Sequence, residues 1–352
     1  MMTSNAHRRP SVAARVLVLL SLAGAASADP LADGENIVTV AGGGLQTGDG
    51  GLALDARLDT PSNVAFDATG NLFIADTNHH QIRRVDRTTG IITTVAGNGS
   101  PCPANAPAPG CGDGGPATSA MLHGPVRIAF DPRGNLFING GSGGNTIRRV
   151  DRTTGIITTV VGNGLPCTPP ASCGAGGLAT DAKVSGALRG SVFDASGNLY
   201  FSEGPNTATP AIHAIMKVSA GSDGVIDGVR HGTTVNGVYQ IDPRDDLIEA
   251  FAGNGTACAP STDPCGDGGD ARLARLNSPR SVALDASGQH MYIADVLDNR
   301  IRAIDLATRT ISTVVGTGVP CAPTSDPCGE GGLAAQARLS LPTSVDLDSS
   351  GI

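Results

Sequence analysis

Apolar residues fall along this chain in short runs, never in long stripes. Around the first well-formed set they read "SNVAF" (62–66), "NLFIA" (71–75), "QIRRV" (81–85) and "IITTVA" (91–96). Each run is four to six residues long, rich in Val, Ile and Phe, and bounded by turn chemistry such as "DATGN" (67–71) or "DRTTG" (86–90). Runs of that length and composition predict β-strands. The separators place Gly where a tight connection needs positive φ, which predicts hairpins. Four runs in succession therefore predict a four-stranded antiparallel sheet.

The set recurs. "TVAGGG" (39–44), "TVAGNG" (94–99), "TVVGNG" (159–164), "AFAGNG" (250–255) and "TVVGTG" (313–318) mark five copies. Each leads to a Gly-rich turn: "GDGG" at 48, 112 and 266, "GAGG" at 174 and "GEGG" at 329. An Ala-rich link follows, of which "PATSAML" (116–122) is predicted to form one helical turn, and then the next apolar burst. "IRRVDRTTGIITTV" (82–95) is repeated unchanged at 147–160. One such sheet leaves both faces wet. Radial repetition lets each sheet cover its neighbour, so the expected architecture is all-β, a β-propeller, with a β-sandwich as the rival.

"P-x-x-V-A-F-D-A-x-G-N-L-F-I-A-D" and "N-x-I-R-R-V", preceded by "G-D-G-G-x-A", resemble the NHL-repeat propeller family, in particular secreted bacterial members and the NHL portion of teneurin-like proteins. The resemblance covers residues 36–352. The literal Asn-His-Leu signature is absent; "NHHQI" (78–82) and "DNRI" (298–301) stand in its place. It implies four-stranded blades and a scaffold used mostly for binding, though a fold does not fix a function. Four complete blades are expected, at about 61–97, 125–162, 187–253 and 279–316. A lone outer strand (36–41) precedes them and a lone inner strand (342–348) follows. The end at Ile352 reads as a truncation from a six-bladed or larger propeller, the alternative being an open five-unit arc. An extra stretch in the third unit (219–246) reads as an extension between its third and fourth strands, such as a β-hairpin flap; "SDGVIDG" within it fails as a calcium loop at its ligand positions.

Composition sharpens the picture. Forty-nine glycines and no tryptophan suit many tight turns. The lysines are Lys183 and Lys217 alone, and a net charge of −8 argues against a nucleic-acid partner. Residues 1–28 read as a signal peptide: Arg8, Arg9 and Arg15, an apolar "VLVLLSLAGAA" (16–26), then "ASA" (26–28). Its removal takes three arginines and no acid, leaving −11 on an exported domain of residues 29–352 with no membrane span, in the periplasm, the envelope or the medium.

Eight cysteines form four local pairs: Cys102/Cys111, Cys167/Cys173, Cys258/Cys265 and Cys321/Cys328. Each pair lies between a strand end and the following Gly-rich turn. The first unit lacks both members together with the loop, as local disulfides predict. Each would contribute about 2.5 kcal/mol through chain entropy. A zinc reading needs four ligands together, and neither His nor a second Cys pair lies nearby.

One face of the propeller should carry the links, the cystine loops and the loops between second and third strands. These vary widely between copies, which points to recognition there. Asp76, Glu203 and Asp295 share one repeat position at the end of the second strand, with Gly140 in the second unit. They are candidates for a divalent cation, calcium among them, or for hydrogen bonding to their own turns. Asn78, His79, His80, Asp298 and Asn299 are candidate contacts. The Gly-rich-turn acids Asp49, Asp113, Asp267 and Glu330 read as turn shapers, since Ala175 breaks the set while the turn persists. "GGSGG" (140–144) lies between two strands rather than at a strand-to-helix elbow, so no catalytic serine is assigned. No catalytic residue or cofactor is assigned, and the channel reads as lined by small or apolar residues. The expected function is an exported, non-catalytic module that binds a protein or a cell-surface glycan. The alternative is a metal-dependent, gluconolactonase-like hydrolase or lyase using Glu203 and Asp295.

Overall fold

A computed structural model describes residues 38–46, 48–167, 173–184, 188–204, 212–236, 238–259, 264–321 and 328–348. The signal peptide expected at 1–28 lies outside the described residues. Four antiparallel four-stranded sheets follow one another along the chain. The first comprises β1 (Pro61–Phe66), β2 (Leu72–Asp76), β3 (Gln81–Val85) and β4 (Ile92–Ala96). The second holds β5 (Arg127–Phe130), β6 (Leu136–Asn139), β7 (Ile147–Val150) and β8 (Ile157–Val161). The third holds β9 (Leu188–Phe193), β10 (Leu199–Glu203), β11 (Ala214–Ser219) and β14 (Leu247–Ala252). The fourth holds β15 (Pro279–Leu284), β16 (His290–Asp295), β17 (Arg300–Asp305) and β18 (Ile311–Val315). The extra sequence in the third unit forms a small hairpin, β12 (Thr233–Val235) with β13 (Val238–Gln240), between β11 and β14 as expected.

The turns hold because an Asp side chain closes each one. Asp67 Oδ1 accepts the backbone N–H groups of Thr69 and Asn71 at 2.9 Å, and Asp131 and Asp194 repeat the arrangement. Asp86 Oδ1 accepts the N–H groups of Thr88 and Thr89, and Asp151 and Asp305 do the same on their turns. Such Asx turns satisfy donors that the hairpin leaves over. Asn71 Oδ1 then accepts Arg87 N–H at 3.0 Å, tying the two turns of one sheet together.

Neighbouring sheets share apolar layers. Phe73, Ile82 and Ala96 of the first sheet pack with Ile128, Ile138 and Ile157 of the second. Phe137 and Ile147 of the second pack with Leu188, Phe201 and Met216 of the third. Ile215 and Phe251 of the third pack with Ile293 and Ile304 of the fourth. The innermost strands β1, β5, β9 and β15 adjoin in that order, as radial stacking requires. Polar side chains stitch them: Asn63 Oδ1 accepts Ile128 N–H at 2.9 Å, Asn139 Nδ2 donates to Ser191 Oγ at 2.7 Å, and Ser202 Oγ donates to Arg280 O at 3.1 Å. The architecture is a β-propeller.

Each link carries one 3₁₀ turn, at Ala53–Asp55, Ala117–Ser119, Ala179–Asp181, Ala271–Leu273 and Ala334–Gln336, so the expected helical turn is present. Among the described residues the lone strands do not form, and residues 36–37 of the first lie outside them. Residues 38–41 and 342–348 join no ladder, because no neighbouring strand among the described residues supplies the backbone partners a strand needs. No helix among the described residues is long and apolar enough to cross a membrane.

Candidate functional site

The loop face is cross-linked. Disulfides join Cys102–Cys111, Cys167–Cys173, Cys258–Cys265 and Cys321–Cys328, with Cα–Cα separations of 5.4–5.7 Å. The first cystine loop packs onto the loop between β6 and β7. Asn105 N–H donates to Gly143 O at 2.9 Å, and Asn145 Nδ2 donates to Asn105 Oδ1 at 2.8 Å. His123 spans the two loops, with Nδ1 2.5 Å from Cys102 O and Nε2 2.9 Å from Ser142 O. Beneath them lies a small, partly open pocket of about 30 Å³, lined in part by Cys102, Cys111, Gly140 and Arg148.

The acids at the ends of the second strands are buried: Asp76 and Asp295 are fully covered, and Glu203 is 1% exposed. Asp76 Oδ1 accepts Asp59 N–H at 2.7 Å and Asp295 Oδ1 accepts Asn277 N–H at 2.7 Å. These donors come from the link entering the sheet, not from the turn after the second strand. Asp76 also meets that turn, with His79 Nδ1 2.8 Å from Oδ2. Asp298 is buried near Asp295. Burial first, and then the neighbouring charge, holds Asp295 above the usual carboxylate range, and burial does the same for Asp298. The Sγ atoms of Cys258 and Cys265 and a carboxylate oxygen of Asp298 lie within 4.8 Å of one another. Both sulfurs are spent in a disulfide, so this group offers a carboxylate and no thiolate.

The remaining predicted contacts divide. Asn78 is exposed and His79 half-buried. His80 and Asn299 share a position just before the third strand, along with Asn145 and His213, and all four have left-handed backbone, φ 45–53°. Three of them reach to the link of the next unit. His80 Nδ1 accepts Gly124 N–H at 3.0 Å, His213 Nδ1 accepts Ser278 N–H at 2.9 Å, and Asn299 Oδ1 accepts Leu341 N–H at 2.9 Å. His80 and Asn299 therefore hold units together.

Three of the Gly-rich-turn acids, Asp49, Asp113 and Asp267, do more than shape a turn, which corrects the sequence reading for them. Arg83 Nη2 donates to Asp49 Oδ1 at 2.9 Å, Arg148 Nη2 to Asp113 Oδ1 at 2.5 Å and Arg302 Nη2 to Asp267 Oδ1 at 2.5 Å. The same acids accept the hydroxyls of Thr94, Thr159 and Thr313. In the third unit the Asp is Ala175, the Arg is Met216 and the Thr is Ala250. That joint loss was a signal available in the sequence. A second correction concerns the channel. Arg127, Arg189 and Arg280 stand on the innermost strands of three successive sheets, where small and apolar residues were expected. The recurrence of Arg at one place in "LRGSVFD" (188–194) and "PRSVALD" (279–285) was the overlooked sign.

A family model described as the Teneurin NHL domain matches residues 93–166 and 230–317. Teneurin-1 of Mus musculus is 28% identical over 284 residues, covering 66% of this chain and 10% of that protein. Teneurin-3 of Danio rerio is 29% identical over 282 residues, covering 67% and 10%. The chain thus spans about a tenth of the length of these relatives. Among solved structures, an auxiliary nutrient binding protein from Bacteroides ovatus aligns with a TM-score of 0.52 at 14% identity, over 84% of this chain and 56% of that one. That likeness is one of fold.

Proposed function

Because the chain belongs to the NHL-repeat family, we propose that it is an exported, non-catalytic binding module that docks a protein partner on its loop face. The observation that carries this reading is the cross-linking of that face. The Cys102–Cys111 loop is fastened to the 139–145 loop by Asn105, Asn145 and His123. A merely tolerated loop needs no such fastening, whereas a preorganised surface loses less entropy on binding. The disulfides suit an oxidising compartment, and the leader at 1–28 supplies the route. Exposed Asn78, with His79 beside it, is the proposed contact of the first unit. Asp76 and Asp295 brace the links beneath that face, buried Glu203 and Asp298 lie at its base, and His80 and Asn299 hold neighbouring units in place. A protein fits better than a glycan, since sugars stack on aromatic faces and the chain has no Trp and 3 Tyr.

The test is affinity capture from envelope extract with the wild-type chain, with N78A/H79A and with a form lacking the Cys102–Cys111 bridge, each checked for native circular dichroism. A partner retained by the wild type and lost by both variants supports the proposal. Equal capture by all three, or binding on a glycan array in place of protein capture, refutes it.

A further inference from the structure

Arginine is used in two ways in this protein. Arg83, Arg148 and Arg302 are buried, and each has its own aspartate. Arg127, Arg189 and Arg280 are half-buried at the hub with far less compensation. Their strands β5, β9 and β15 lie side by side. The third and fourth inner strands approach so closely that a Cβ on Gly190 would come within 2.9 Å of Val282 N and 3.1 Å of Arg280 O. Arg127 Nη2 donates to Ser281 Oγ at 3.1 Å, reaching from the second sheet past the third to the fourth. The guanidinium groups of three sheets are thus gathered in one place.

Burial lowers the pKa of Arg127 and Arg189, and the charge of Arg280 lowers both further. Asp346 is the acid that acts against this, on Arg127. Among the described residues, neither Arg189 nor Arg280 has an ion-pair partner. Among the described residues, then, Asp346 acts on Arg127 alone, and no carboxylate is ion-paired with the other two cations. The scaffold does not require them: at the Arg189 and Arg280 position other units carry Ser62, Val126 and Thr343. Unpaired like charges out of bulk water destabilise a fold. The same arrangement presents several planar N–H forks suited to oxygen anions.

We propose that Arg127, Arg189 and Arg280 form a hub site for a small multivalent oxyanion, bound through bidentate guanidinium contacts. The site lies where the inner strands leave the links, beside the ends of the second strands, and its test needs nothing to be docked on the loop face. Polycarboxylates, sulfate and phosphate share the required chemistry, and the ligand series separates them.

The experiment is calorimetric titration and thermal unfolding of the full chain with citrate, sulfate or phosphate, against sodium chloride at matched ionic strength. R189Q/R280Q is the test variant, and R272Q, at an exposed arginine, is the control. The wild type should bind one of the three saturably and gain a few degrees of unfolding midpoint at about a hundredfold excess over Kd. The double variant should bind about tenfold more weakly or worse. Without anion it should unfold at a higher midpoint than the wild type, because repulsion has been removed. R272Q should match the wild type. The proposal is overturned if chloride gives the same gain, if the double variant keeps the anion response, or if it melts lower than the wild type in anion-free buffer. Should the double variant not fold, R280Q and the wild-type titration decide, and absence of saturable binding to all three anions overturns the proposal.

Discussion

Arg148, on the third strand of the second sheet, holds Asp113 of the preceding Gly-rich turn through two hydrogen bonds to one oxygen, from Nε at 3.0 Å and from Nη2 at 2.5 Å. The same guanidinium donates to Met121 O at 3.0 Å. It therefore clamps the end of the cystine loop to the sheet that follows. Arg302 repeats the pattern with Asp267 and Arg275 O. In the third sheet the clamp is apolar, Ala175 with Met216.

That internal comparison makes a quantitative prediction. Asp113→Ala leaves Arg148 buried with its charge uncompensated, and should cost about 3–5 kcal/mol. The combination D113A/R148M/T159A copies the third unit and should cost much less, because no charge is left buried and Met fills the space. Urea denaturation of the single and triple variants checks this. A triple variant no more stable than D113A would mean that the clamp is not a replaceable unit.

The strands were legible because each is a local event: a short apolar run between two Asx turns needs nothing from distant residues. The disulfides were legible for the same reason, since both partners appear or vanish within one loop. The clamp was harder. Asp113 and Arg148 stand 35 residues apart, and their link shows only when Ala175, Met216 and Ala250 are placed in one register. The hub arginines were not legible as a cluster, because their convergence comes from stacking sheets and no single repeat contains it. The second role of His80 and Asn299 was hidden similarly. In sequence they read as candidate contacts on the loop face, and nothing local shows that each accepts a backbone N–H from the next unit's link.

The cystines should carry measurable stability. Replacing Cys102 and Cys111 by Ser reopens a loop of nine residues' separation and should cost about 2.5 kcal/mol. Native protein purified under oxidising conditions should show no thiol accessible to maleimide after denaturation. Labelling at any of the eight positions would contradict the assigned bridges.

Asp246 gives a pH effect of known sign. Its Oδ2 accepts the N–H groups of Asp227 and Gly228 at 3.0 and 2.9 Å, yet burial pushes its pKa up to about 7 from an ordinary 3.8. The folded state then holds a proton that the unfolded chain has released. Its contribution to stability is complete below about pH 4 and is lost as pH rises toward about 7, by at most about 1.4 kcal/mol per pH unit. D246N keeps an acceptor oxygen and removes the charge. It should be more stable than the wild type at pH 8, with the gain vanishing near pH 4. Equal stability of the two proteins at pH 8 would refute the assignment.

His80 and His213 act in the opposite direction. Each uses an unprotonated Nδ1 to accept a backbone N–H of the next unit's link, Gly124 and Ser278. Burial lowers the pKa of His213, and burial together with His123 and His79 lowers that of His80, from an ordinary 6.5. The unfolded chain therefore binds protons first as pH falls. Stability supplied by these two contacts is complete above about pH 6.5 and declines below it. Asn299 does the same work in the fourth sheet with an amide oxygen that cannot titrate. H80N/H213N should therefore match the wild type at pH 8 and exceed it increasingly from pH 6.5 to 5.5. Asp246 is present in both proteins, so its effect cancels in the difference between their urea midpoints. A difference that stays flat across that range would show that the two histidines join the sheets without sensing protons.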